Sequence, residues 1–387
     1  MIYLFSLIWC LWLAWMYDVL GYTKNKWNWY YLLLVWFICV SGLQYMVGSD
    51  IPGYMESYQR DYYRLRFDVG DIGGRHQPGW ILLNYLCRQI TDDFILLKFI
   101  QAIFVNVAIF SFFKRETKYV FLCITLYAIT TYLIFNFNSL RQSFAIGFML
   151  YYISYLKRNR YVLAAISLFG AFMFHNTALI GMIIPFFKFL KYDRRILMLL
   201  LGLSIVFVFF LIRLDFDTLL KTLIDSGYLG EGLEEHAEIY ANSQKFEARE
   251  VGVGIGRYVQ LLMIIYTIFY FVWKKKDMYV GGIGLIYLFM QVMNYAIPIM
   301  FRFRQYFDMS FYVMFSYVIM DISAGRFKQI RQLVIATCVA LFLVFPIKEY
   351  LYKYPGSPYR YIDQYYPYHS IFNPDVDYRK INYFKWI

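Results

Sequence analysis

The chain has 387 residues, 60% of them hydrophobic and 22% aromatic, with a mean hydropathy of +0.46 and a formal net charge of +12. So much apolar side chain exceeds what one soluble core can hide, which excludes a soluble globular domain and makes this an all-α polytopic membrane protein. The positive balance asks for no nucleic acid, because most of it sits in short turns between apolar runs.

Apolar runs recur along the whole chain, and a helix needs roughly 20 residues to cross the hydrocarbon core. The sequence predicts helices at 2–20, 29–47, 94–113, 119–135, 140–156, 161–174, 177–190, 196–213, 257–273, 279–300, 306–322 and 330–346, which is about twelve crossings. No basic region or small-residue cleavage site precedes the first run, so it reads as an uncleaved helix with its start outside.

With these spans, Lys24, Lys26, "KRETK" from Lys114, "KRNR" from Lys157, "KFLKYDRR" from Lys188, "KKK" from Lys274 and "GRFKQIR" from Gly325 all fall on one side. Basic loops mark the cytoplasmic side, so the other ends face outward. Residues 1–387 read as a single membrane domain without internal repeats, decorated by outward loops 48–79 and 214–256 and an outward Tyr-rich tail at 347–387. The second loop carries nine carboxylates and resembles a surface amphipathic element. The tail tyrosines fit either an interfacial aromatic belt or a platform for sugar rings. The five cysteines have no paired spacing, so neither a metal site nor a disulfide framework is expected, and no cofactor.

The informative residues are the cations that break the charge rule. Arg141, Arg257, Arg302 and Arg304 sit at outward helix ends. Arg141 follows Ser139 in "SLRQ", a capping-box pattern with Gln142 at the third helical position. A cation in a first turn opposes the helix dipole, so Arg141 is there either to join free backbone N–H groups in holding an anion, or to snorkel to headgroups. Asn136, Asn138 and Gln142 beside it favour the first role. Arg302 and Arg304 lie about 200° apart around a helix, so they either flank one cavity or need irregular backbone, for which Pro298 provides. The glycines of "GVGIG" before Arg257 read as a hinge and not as a phosphate loop.

Residues 161–174 reach only about 21 Å, short of the roughly 30 Å core. A hairpin with "FHNTA" at its tip, below the outer surface, reconciles that length with the flanking basic clusters. Its His175, followed by Asn176, is either a structural hydrogen-bonding group or a proton-transfer group. In the first outward loop, Asp50 lies closest to the bilayer and is the carboxylate best placed to act as a general base.

The order "VGSD…Y" from Val47, "QPGWILLNYL" from Gln77, "NSLRQSFAIGFMLYYISYLKRNRY" from Asn138, "FHNTALIGMIIPFF" from Phe174, "GIGRY" from Gly254 and "FRFRQYF" from Phe301 resembles the EpsG family of polysaccharide polymerases, related to the Wzy-type polymerases. The resemblance runs from about residue 45 to 310, and Gln77 stands where the family usually carries an acid. It implies a glycosyltransferase-C-like membrane fold and an enzyme of the bacterial inner membrane. Such an enzyme joins oligosaccharide repeat units carried on undecaprenyl pyrophosphate at the outer face, among membrane lipid and beside chain-length regulator and flippase proteins. Arg141, Arg257, Arg302 and Arg304 would then hold the pyrophosphate, supported by Asn138, Gln142 and Asn176, with His175 or Asp50 as base and no metal. A flippase or exporter of the lipid-linked unit, an O-antigen-type ligase and a membrane O-acyltransferase are the alternatives.

Overall fold

The computed structural model describes residues 1–65, 77–189, 194–211, 255–275, 277–296, 298–324, 330–353 and 358–375. Loop 214–256, with its nine carboxylates, lies almost wholly outside them, as do residues 66–76 of the first loop.

The described chain is helical throughout, with only isolated backbone bridges between extended residues. α1 spans Ile2–Leu13 and runs on as a π-helical turn, Ala14–Val19; α2 is Lys26–Gly42. α3 (Ile51–Arg60) lies in the first loop, and α4 (Pro78–Arg88) follows its end. Then come α5 (Ile95–Glu116), α6 (Val120–Thr130), α7 (Tyr132–Phe137), α8 (Leu140–Lys157), α9 (Tyr161–Phe174), the 3-10 helix Asn176–Ile183 and α10 (Ile184–Phe189). α11 (Arg194–Leu211), α12 (Ile255–Phe269, continued by a π turn to Lys275) and α13 (Met278–Ala296) follow. A 3-10 turn Pro298–Met300, the single turn α14 (Phe301–Arg304), α15 (Asp308–Ala324) and α16 (Arg331–Leu351) complete the bundle.

Most helices expected from apolar runs are found where expected, but the crossing count of about twelve is not settled by length. Ile2–Val19, Ile95–Glu116 and Arg331–Leu351 are long and apolar enough to cross a membrane unaided, and shorter apolar helices accompany them. The run expected at 119–135 is broken at Thr131, whose φ of −127° and ψ of −13° end α6 and restart the chain as α7. The run expected at 177–190 is a 3-10 segment followed by a short α-helix.

α5 is the central post, packed on α2 and α8, while α8 packs on α9 and α1 on α6. The basic turns gather at one end. Lys26 Nζ donates to the Lys118 carbonyl at 3.1 Å, Lys188 Nζ to the Lys157 carbonyl at 3.3 Å, and Glu116 pairs with Lys157 at 2.9 Å and Arg158 at 3.1 Å.

The opposite end is built from the first loop and the tail. α3 and α4 are amphipathic rather than irregular, and bury Ile51, Tyr58, Trp80 and Ile81 against Leu97, Leu140 and Phe144 as a second apolar cluster. α4 meets the end of α9 so closely that a Cβ on Gly79 would stand 2.7 Å from the Met173 carbonyl oxygen. The tail folds back onto the bundle: Gly48 and Tyr45 donate backbone N–H bonds to Gln364 and His369 carbonyls, both at 2.9 Å. Tyr365 is fully buried, and its carbonyl accepts from the Tyr3 hydroxyl at 3.1 Å. Tyr365 is therefore committed to packing and presents no ring to sugars.

Gly48 is where this end is tightest. Its φ is +102°, and a Cβ there would run into the Phe137 carbonyl and the Asn138 side chain. Gly48→Ala is expected to destabilise the protein by more than about 1 kcal/mol, because strain and overlap act together. A lowered unfolding midpoint of the detergent-solubilised protein checks this; an unchanged midpoint would mean that the turn relaxes freely.

Candidate active site

At the end where the tail docks, four separated segments converge: the start of α3, the start of α8, the turn after α9 and α14. Asp50 is the N-cap residue of α3, and Tyr54 follows one turn later. Arg141 occupies the first turn of α8, where its charge lies within electrostatic reach of the Tyr54 hydroxyl. Burial raises Tyr54 above its ordinary value of 10.0; Arg141 and Arg302 pull the other way, and Asp50 adds to the rise, so all three charges lie within electrostatic reach of one hydroxyl.

Ser139 is the N-cap of α8 as expected, yet it makes no side-chain cap, and the capping box is absent. Gln142 is diverted: its amide donates to the Arg302 carbonyl at 2.6 Å, tying α8 to α14. A buried glutamine gains more from an otherwise unmade bond to a backbone carbonyl than from a cap beside solvent. Asn138 has a structural task as well. Its side chain accepts from the Ser49 N–H at 3.1 Å and donates to Gln364 Oε1 at 2.7 Å and the Tyr365 hydroxyl at 2.9 Å, which fixes the turn before Asp50 to the tail.

α9 stops at His175, whose backbone is extended at φ −158° and ψ 124°. The end of α9 is held by a ring stack in which Phe174 lies 4.7 Å from Phe144 and 5.7 Å from Phe148, centroid to centroid. His175 Nδ1 accepts from the Thr177 N–H at 3.3 Å and lies 2.6 Å from the Thr177 hydroxyl, which is itself 3.0 Å from the Tyr306 hydroxyl. A ring nitrogen that accepts from a backbone N–H carries no proton, so the neutral imidazole holds its hydrogen on Nε2. Arg302 and Arg141 are both within electrostatic reach of the ring. Asn176 opens the 3-10 helix beside them.

The two arginines of "FRFR" point to different places, as their spacing requires. Arg302 lies within electrostatic reach of Tyr54, His175 and Tyr306, and among the described residues no carboxylate lies within ion-pair distance of it. Arg304 turns away. Its Nη1 donates to Gln291 Oε1 at 2.8 Å and its Nε stands 3.3 Å from Asp308 Oδ1, a carboxylate only 1% exposed. Arg257 lies in the first turn of α12, with its side chain outside the described residues.

The site therefore unites Asp50, Arg141, Gln142, His175 and Arg302 from the expected set, holds Asn138 as a brace, and sends Arg304 into an ion pair. Tyr54, Thr177 and Tyr306 were missed as site residues. Tyr54 sits four residues after Asp50 and so shares a helix face with a candidate, a signal the sequence did carry.

Residues 27–370 match the model of the EpsG family, the family of Wzy-type polysaccharide polymerases. The chain belongs to the EpsG family. The match takes in every segment of the cluster and the tail that braces it. No curated protein and no solved structure matches the chain. An EpsG-family membrane protein is thus a polysaccharide polymerase in general terms, and Arg141, Arg302, His175 and Asp50 lie together at one end of the bundle.

Proposed function

We propose that this protein joins oligosaccharide repeat units carried on undecaprenyl pyrophosphate, at the outer face of the bacterial inner membrane. The observation that carries the reading is the convergence of Arg141 and Arg302 on Tyr54 and His175, at the end of the bundle opposite the basic turns. In the transfer, a hydroxyl of the acceptor sugar attacks the anomeric carbon of the growing chain. The bond from that carbon to the pyrophosphate oxygen breaks, and the electron pair leaves with the undecaprenyl pyrophosphate.

Negative charge develops on the leaving oxygen, and fixed guanidinium groups in a partly dry site stabilise it without reorganising. Arg141 and Arg302 take that role, and Arg257 joins them if its helix start faces the same space. The acceptor proton goes to a base. His175 has Nδ1 occupied and a hydrogen on Nε2, so it serves best as a donor to the leaving pyrophosphate, and Asp50 is the better base. The Thr177–Tyr306 pair holds the histidine turn in place, with Asn176 as a supporting polar group beside it. Chain-length regulator and flippase proteins are the partners such an enzyme works beside.

The test is a gel of surface glycolipid and polysaccharide from cells lacking the protein, compared with cells given it back. Loss of the long-chain ladder with a single repeat unit still displayed is the expected result. Loss of even the single unit would instead mean a flippase or a ligase, and an intact ladder lighter by an acyl group would mean an acyltransferase.

A further inference from the structure

The opposite end of the bundle holds a cavity of about 420 Å³, lined by Lys26, Trp27, Lys114, Arg115, Lys118 and Tyr317, among others. It lies at the far end of α5 from the candidate active site, and 22 helical residues at about 1.5 Å each place the two roughly 33 Å apart. The cavity cannot share a ligand headgroup with that site.

Its cations outnumber the carboxylates near them, and Asp321, within electrostatic reach of Lys118, is itself paired with Lys275 at 2.7 Å. Glu116 also faces it, but that carboxylate is taken by Lys157 at 2.9 Å and Arg158 at 3.1 Å, and Lys26 is taken by Asp18 at 3.3 Å. Among the described residues, no carboxylate lies within ion-pair distance of Lys114, Arg115 or Lys118. Aromatic faces hold them instead. Lys114 Nζ stands 4.6 Å from the Trp27 ring centroid and donates to the Tyr31 hydroxyl at 2.9 Å, Arg115 lies 5.0 Å from the Tyr151 ring, and Lys118 lies 5.0 Å from the Tyr119 ring. Stacked cations keep their charge and lose side-chain freedom, which readies them for an anion.

We propose that this cavity binds the phosphate group of an anionic phospholipid whose acyl chains run along α2. The volume suits a headgroup. What favours a lipid over a free phosphate is the adjoining helix face, where Tyr31, Leu32 and Val35 are each about half exposed and continue from Trp27 away from the cavity. An apolar stripe leading out of a basic, aromatic-walled recess matches a molecule with a charged head and a long tail.

The test is native mass spectrometry of the full-length protein in detergent, with phosphatidylglycerol or phosphatidylcholine added at equal concentration. Wild type is expected to retain phosphatidylglycerol preferentially, and the double variant Lys114→Gln, Lys118→Gln is expected to lose about fivefold of that preference per cation removed. Glycerol phosphate, a headgroup without tails, is expected not to displace the lipid. Equal retention of the two lipids by wild type, an unchanged preference in the variant, or full displacement by glycerol phosphate would each overturn the proposal. The wild-type comparison stands even if the variant folds poorly.

Discussion

Arg302→Ala is expected to lower polymerisation about 10²–10³-fold, the loss typical when a preorganised charge at a developing anion is removed. The expectation follows from what Arg302 lacks as much as from what it faces. Among the described residues no carboxylate neutralises it, and its charge falls on Tyr54, His175 and Tyr306. Its backbone is anchored independently of its side chain, because Gln142 donates to the Arg302 carbonyl at 2.6 Å, so truncation leaves α14 in place. Arg302→Lys keeps the charge and loses the two-pronged fork, and is expected to restore part of the rate. Arg141→Lys tests the same geometry from α8. The measurement is ladder length and polymer yield at matched protein levels in complemented cells. Full-length polymer from Arg302→Ala would remove the guanidinium from the transfer step.

Asp308→Ala is expected to cost about 3–5 kcal/mol of stability, since it strands a guanidinium whose counter-charge was buried. Asp308 is 1% exposed and its Oδ1 is 3.3 Å from Arg304 Nε, while Gln291 Oε1 accepts from Arg304 Nη1 at 2.8 Å. The pair joins the start of α15 to α14, and the Gln291 contact adds α13. Replacing both partners with apolar residues of similar volume, Arg304→Met with Asp308→Leu, is expected to recover most of the midpoint in a thermal unfolding series and to retain polymerisation. A double variant that is stable but inactive would return Arg304 to the pyrophosphate site, where its position at a helix end first placed it.

Most helices were legible because a membrane helix announces itself locally. An apolar run near 20 residues can do little else in lipid, and a charged turn has to end it. The limits of α8, α9 and α15 follow from the runs beginning near Leu140, Tyr161 and Asp308. The break at Thr131 was not legible, because nothing in "YAITTYLIF" interrupts the apolar pattern. Nor were α3 and α4, whose mixed composition reads as loop until Leu97, Leu140 and Phe144 provide a surface for Ile51, Trp80 and Ile81.

The site divides along the same line. The sequence by itself determined the helical membrane class, the gathering of cations into turns, the family, and which residues were chemically equipped, because composition, periodicity and motif order are local properties. Only the tertiary structure decided which of those residues meet. Arg302 and Arg304 are chemically identical and two positions apart, yet one acts on the histidine through its field and the other pairs with a buried aspartate. Asn138 and Gln142 are equally suited to an anion, yet one is spent on the tail and the other on a carbonyl of α14. Their roles depend on partners 160 or more positions away in the chain. Polar side chains removed from water take whichever partner the packing brings, since an unpaired buried group is the costlier outcome.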